Sequence, residues 1–352
     1  MQANRKPGAP TPTSAAASSA TRPAATAADV GVHAPSLIRA DSRDSRATIL
    51  LPPPPDYDLP ATLASGQAFR WRPVGDAWEG IISGHHFRLR QTPTDISAEL
   101  LGACGTSTAP DLLRHFLQLD ADLPAILATF PDDPPMRAAV AACRGLRLLR
   151  QEPWECLVSF ICSSTKQIVQ IQQIIALLCE RFGERIPVGE AVRSLKLTPL
   201  KQSETPHGVS CESFAFPTAA CLAACSEAEL RTCKMGFRAP YILAAARAVA
   251  AGELDLAQLH NLPTVEARAA LMALHGVGRK IADCVLLFAY GKQDAFPVDV
   301  WVRRALTELY FPRRRPSEQR LEHFANTHFG PNAGYAQQYL FHYVRTKRVI
   351  SD

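Results

Sequence analysis

The stretch from Leu274 to Asp299, LHGVGRKIADCVLLFAYGKQDAFPVD, constrains this chain more than any other. Leu274-His275-Gly276-Val277-Gly278 reads as a short glycine turn between two helical segments, Thr264 to Ala273 and Gly278 to Tyr290. A helix that starts on glycines leaves backbone N–H groups uncovered, and the positive end of its dipole favours an anion there. Lys280 falls in the first turn of the second helix, and Asp299 returns after an extended Pro297-Val298 step. An amine beside an anion site, with a carboxylate brought back towards it, has the parts of a nucleophilic site on a phosphate polymer. Asp299 is also placed to cap a helix from Val300 to Tyr310. The two roles are compatible, because capping N–H groups would keep the carboxylate ionised and well aimed.

These residues, together with the string Ser65-Gly66-Gln67-Ala68-Phe69-Arg70-Trp71, resemble the helix-hairpin-helix DNA glycosylases of the GVG-x-K…VD type. The resemblance is strongest to the eukaryotic-type 8-oxoguanine DNA glycosylase/lyases, and it runs from about residue 50 to about residue 350. It implies base-excision repair on duplex DNA containing oxidised guanine, with Lys280 attacking C1′ of the damaged nucleotide and then nicking the strand by β-elimination. Asp299 would stabilise the cationic sugar. Cys284 and Phe341 would form opposite walls for the flipped base, with Phe288 completing the lining and Gln337 reading the Watson–Crick edge. The carbonyl of Gly66 would accept N7–H, which 8-oxoguanine has and guanine lacks. Gly276 and Gly278 would hold a DNA phosphate, Phe237 would wedge beside the lesion, and Arg238 would contact the orphaned cytosine. Thr165 stands where the family has an asparagine that fills the vacated space, and Gln170 replaces a second cytosine-reading arginine. A weakened preference for cytosine opposite the lesion is the expectation.

The same patterns organise the rest of the chain. Residues 1–46 are Ala-, Ser-, Thr- and Pro-rich and lack any helical or strand period, which predicts a disordered tail or a transit peptide. Residues 47–145 read as a small antiparallel β-sheet with helices, including a hairpin around Ser83-Gly84-His85 and a helix from Asp111 through Leu119. Residues 146–352 read as all-helical, so the fold class is α+β. Ile168, Ile171, Ile175 and Leu178 share one face of a helix that Gly183 would cap, and Ser226-Glu227-Ala228-Glu229 is a capping box for a helix ended by Gly236. Residues 185–217 look like an insertion with little regular structure.

At 352 residues and 47% hydrophobic, the chain can bury a sizeable core, and its formal charge of +5 permits a nucleic-acid partner without requiring one. Arginines crowd the last fifty residues, either as a solvated face or as a phosphate-binding one. The ten cysteines sit mostly singly in apolar surroundings, which suits reduced thiols. Cys221, Cys225 and Cys233 fit no zinc spacing, and no cysteine follows Cys284 to build the iron–sulfur cluster of related glycosylases. No metal, cofactor or membrane association is therefore expected. A monomer is expected, placed in the bacterial cytoplasm or the eukaryotic nucleus. Two other readings stay open: a related glycosylase for a different lesion, and a helix-hairpin-helix module that binds DNA without catalysis.

Overall fold

The computed structural model describes residues 37–40, 47–104, 108–187, 213–312 and 316–349. Six antiparallel strands, β1 (Leu37–Ala40), β2 (Ala47–Leu51), β3 (Trp71–Val74), β4 (Ala77–Ile82), β5 (His85–Gln91) and β6 (Ile96–Ala103), form one sheet in the order β1-β2-β6-β5-β4-β3. The expected hairpin joins β4 to β5 through Ser83 and Gly84, both at positive φ, a geometry that matches the twist of the flanking strands. Phe87, Leu89, Ile96 and Leu51 turn inward and pack with Leu113 and Leu117 of helix α2 (Ala109–Leu117). That helix starts two residues before Asp111 and ends where Gln118 adopts a left-handed conformation.

The first correction concerns the tail. Leu37–Ala40, expected to be disordered, pairs with β2 from Leu37↔Leu50 to Ala40↔Ala47. Its Leu-Ile step favours an extended chain, and the pairing covers what would otherwise be a bare edge of β2. The rest of the expected tail, 1–36 and 41–46, lies outside the described residues, as does 188–212 of the expected insertion.

The remaining elements are helical. They are α1 (Leu59–Ala64), α3 (Leu123–Leu127), α4 (Pro134–Ala142), α5 (Pro153–Cys162), α6 (Ile168–Phe182), α7 (Ala219–Ala223), α8 (Glu227–Arg231) and α9 (Ala239–Ala250). After them come α10 (Thr264–Met272), α11 (Arg279–Phe288), α12 (Val300–Tyr310), α13 (Glu318–His328) and α14 (Ala333–Val349). Leu123, Met136, Ala139 and Cys143 join the helical core, so α3 and α4 belong with the helices although they precede the expected boundary at 145. Gly183 caps α6 as expected, its N–H donating to the Cys179 carbonyl at 2.8 Å, but with an ordinary extended φ; a Cβ there would lie 2.1 Å from the Ala215 carbonyl oxygen, so close backbone approach selects glycine. Gly236, at φ 59°, does not end α8; it opens the 3-10 turn Gly236–Arg238 that leads into α9. The capping box at Ser226 and Glu229 is formed as expected.

Candidate active site

The glycine turn joins α10 to α11, and its two glycines are there for different reasons. Gly276 sits at φ 85°, and a Cβ on it would lie 2.3 Å from Cγ of Tyr241, whose ring packs edge-on against His275 at 4.9 Å. Gly278 has an ordinary φ of −90° and nothing within 4 Å of where a Cβ would stand. It is the N-cap of α11, with no side chain bonding the first-turn amides, so they face outward and uncovered. Behind the turn, buried Asp283 of α11 accepts from Arg268 of α10 at 2.6 Å, which ties the two helices together.

Lys280 projects from the first turn of α11 and is half-buried. Its Nζ donates to Ser163 Oγ at 2.9 Å and stands 5.4 Å from the Phe160 ring centroid. Ser163 in turn donates to the Phe160 carbonyl, which fixes its hydroxyl as an acceptor for the amine. Asp299 caps α12, accepting from the Val302 N–H at 2.7 Å. Burial pushes its carboxyl above the ordinary carboxylate range, while the Val302 N–H and Lys280 pull the other way. The capping role is as expected, but desolvation outweighs the stabilisation of the charge that capping was expected to give. Cys284, one turn beyond Lys280, is buried, and its thiol is pushed up to about 12 by desolvation, against the pull of Lys280. A thiol raised that far stays protonated at neutral pH.

Other groups converge from distant parts of the chain. A Cβ on Gly66, at φ 80°, would lie 3.3 Å from Cε1 of Phe341 and 3.1 Å from Cδ1 of Ile168. Gln337, one turn before Phe341 on α14, is buried with its Oε1 unpartnered, a polar atom that calls for a donor. Phe288 is buried and stacks on Phe160 at 5.5 Å, so it backs the Phe160 ring from inside the core. Sequence reasoning missed the residues that hold Gly66 in place. Gln67 is fully buried; its Nε2 donates to the Arg147 carbonyl at 2.8 Å, and its Oε1 accepts from the Leu149 N–H at 2.7 Å. Gln151 donates to the Gln67 carbonyl, and Gln338 donates to the Ser65 carbonyl. Phe160 and Ser163 were missed too. The one available signal was glutamine at positions where the pattern called for core.

The expected wedge and cytosine reader lie at the 3-10 turn. Phe237 is exposed, as a wedge must be. Arg238 is buried, its guanidinium 4.2 Å from the Phe237 ring centroid; it donates to the carbonyls of Met235 and Ser164 and to Thr165 Oγ1, while its Nε has no hydrogen-bond partner among the described residues. Thr165 itself is held at φ 55°, an unfavourable conformation for a β-branched residue. Gln170, also exposed, accepts from the Gln167 N–H at the start of α6. Among the described residues no group of His, Cys, Asp and Glu could hold a metal ion, and no helix is long and apolar enough to cross a membrane. A shallow cleft of about 520 Å³, lined by Asp56, Tyr57, Asp58, Pro60, Gln91 and Arg144 among others, shares none of these groups.

Comparison with known proteins bears on this arrangement directly. Residues 49–157 match the 8-oxoguanine DNA glycosylase N-terminal domain, and residues 158–331 match the HhH-GPD superfamily of base excision DNA repair proteins. A probable N-glycosylase/DNA lyase of Methanothermobacter thermautotrophicus is 31% identical over 84% of this chain and 96% of its own length. The chain belongs to the 8-oxoguanine DNA glycosylase family. The N-glycosylase/DNA lyase OGG1 of Arabidopsis thaliana is 32% identical over 81% of the chain and 77% of its own length. Among solved structures, the Clostridium acetobutylicum 8-oxoguanine glycosylase/lyase, bound to duplex DNA with cytosine opposite 8-oxoG, aligns with a TM-score of 0.74 at 27% identity. That alignment covers 89% of this chain and 98% of the clostridial one. Family membership explains why a sheet domain that brings Gly66 is fused to a helical domain that brings Lys280.

Proposed function

We propose that this family member is a bifunctional base-excision repair enzyme that releases 8-oxoguanine from duplex DNA and then nicks the abasic strand. The observation that carries the assignment of roles is Lys280, bonded to Ser163 at 2.9 Å in the first turn of α11, beside Asp299 and an uncovered row of helix amides. The DNA backbone docks on the amides of the Gly276–Gly278 turn, and the lesion swings out of the stack. The purine enters between Cys284 and Phe341, where Gln337 Oε1 accepts from its Watson–Crick edge. The Nζ lone pair forms a bond to C1′ as the glycosidic bond breaks; the base leaves with the glycosidic bonding pair and takes up a proton, and the amine sheds its own. Asp299 supplies negative charge opposite the cationic sugar. Ring opening gives a Schiff base between Lys280 and C1′. Loss of a C2′ proton then expels the 3′ phosphate by breaking the C3′–O bond, and water hydrolyses the imine to free the lysine.

The opposite base is read weakly in this account. Arg238 is engaged by Ser164, Thr165 and Met235, and Gln170 is engaged at the start of α6. Each charged hydrogen bond missing from a desolvated cytosine forfeits about 1.5–3 kcal/mol. The test is single-turnover release of 8-oxoguanine opposite cytosine, thymine, guanine and adenine. The expected result is release in every pair, with rates within about 10-fold of one another. No release from any pair would remove the substrate assignment. Strong cytosine selectivity that Gln170→Arg leaves unchanged would remove the opposite-base reading alone.

A further inference from the structure

One cation beside the base site has no part in the chemistry above. Arg345 follows Phe341 by four residues on α14, the spacing that puts both on one helix face. Its guanidinium carbon stands 5.7 Å from the Phe341 ring centroid, and its Nη2 donates to the Ala64 carbonyl at 2.8 Å. Nη1 is buried and has no hydrogen-bond partner among the described residues. The location of that atom is informative: it lies 2.8 Å from where a Cβ on Gly66 would stand, nearer than Ile168 or Phe341. The Phe341 ring edge, the Ile168 methyl group and a buried donor are thus packed directly against Gly66, where a Cβ would not fit. Burial lowers the arginine pKa from its ordinary value, as befits a cation withdrawn from water with one side unanswered. A buried donor of this kind is costly until an acceptor arrives.

We propose that Arg345 reads the substrate base, its Nη1 donating to a carbonyl oxygen that flanks N7–H on the purine edge facing Gly66. The proposal rests on the reading of Gly66 and Phe341 as the base site. An oxidised guanine offers O6 and O8 on that edge, both acceptors without a proton, which suits a donor that cannot accept. Ala64 holds the other arm of the guanidinium, so the donor is aimed before the base enters.

The test separates base release from strand nicking in single-turnover assays with enzyme in excess. Unmodified protein, Arg345→Met and Arg345→Lys are each given a duplex with 8-oxoguanine and the same duplex with a preformed abasic site. Met keeps the apolar stem and removes the donors; Lys keeps a cation. Arg345→Met is expected to slow base release roughly 10- to 100-fold while leaving nicking at the abasic site, which has no base to read, unchanged. Arg345→Lys is expected to recover part of the loss, and thermal melts of both variants to match the unmodified protein. Equal slowing on both duplexes would assign Arg345 to the fold through its Ala64 bond and overturn the proposal, as would unaltered base release by Arg345→Met. If the unmodified protein nicks the abasic duplex but releases no 8-oxoguanine, the base-site reading itself falls, and the proposal with it.

Discussion

Asp299 shows how one residue carries two opposed demands. Its carboxyl is raised above the ordinary value near 3.8, chiefly by burial. Between the unfolded and the raised folded value the native protein holds the extra proton, so this group's contribution to stability is present at low pH and is lost as pH rises through the folded value. At neutral pH the charged carboxylate is therefore a cost to folding that the chemistry requires. Asp299→Asn keeps an oxygen to accept from Val302 and removes that cost. Its melting temperature is expected to equal or exceed that of the unmodified protein at neutral pH, while single-turnover excision falls by about 100-fold or more. A lower melting temperature with intact excision would reverse both parts. Lys280, Asp299, Cys284 and Gly66 stood out as candidates because each lies in a short local string. Gln67, Gln151, Ser163 and Arg345 did not, because their partners lie far away in sequence: Gln67 bonds Arg147, Lys280 bonds Ser163, and Arg345 bonds Ala64. Polar residues at such spacing look like solvated surface until the fold brings their partners in.

At the scale of elements, the hairpin separates shape from binding. Gly276→Ala would drive a methyl into the Tyr241 ring and force a left-handed backbone on an alanine, a combined cost of about 2 kcal/mol or more. Gly278→Ala meets nothing within the protein. Its melting temperature is expected to stay unchanged while duplex affinity drops, because on the proposed docking the phosphate comes in where the methyl would stand; Gly276→Ala is expected to lower both. Unchanged DNA affinity in Gly278→Ala, measured by fluorescence anisotropy, would take the phosphate off this helix start. Periodicity gave the long helix α6, because burial of one face leaves a repeating signature. It gave no sign of β1, since a four-residue strand is recognisable only through its partner, β2. The mistaken role of Gly236 has a plain cause. A glycine after a helix reads as a cap, as Gly183 is, even where it instead opens the next turn.

At the scale of the molecule, the sheet and the helices form two cores joined by a polar seam. Phe69 packs into the helical core while Ala68 and Trp71 beside it pack into the sheet core, and Gln67 is bonded on both of its amide atoms between them. The α+β order was legible from the change of hydrophobic period. On either side of the expected boundary the packing is mixed, because α3 and α4 precede it in sequence yet pack with the helices. This seam places Gly66 against Arg345, while the helix hairpin carries Lys280. The central claim is that Lys280 is the nucleophile and that damaged guanine is what delivers a sugar to it. Borohydride reduction during turnover tests it most directly, because only an imine between protein and C1′ is trapped as a covalent adduct. The account predicts an adduct with a duplex carrying 8-oxoguanine, none with the same duplex carrying guanine, and none with either for Lys280→Gln, which should still bind DNA. A trapped adduct from Lys280→Gln, or equal trapping on the two duplexes, would contradict it.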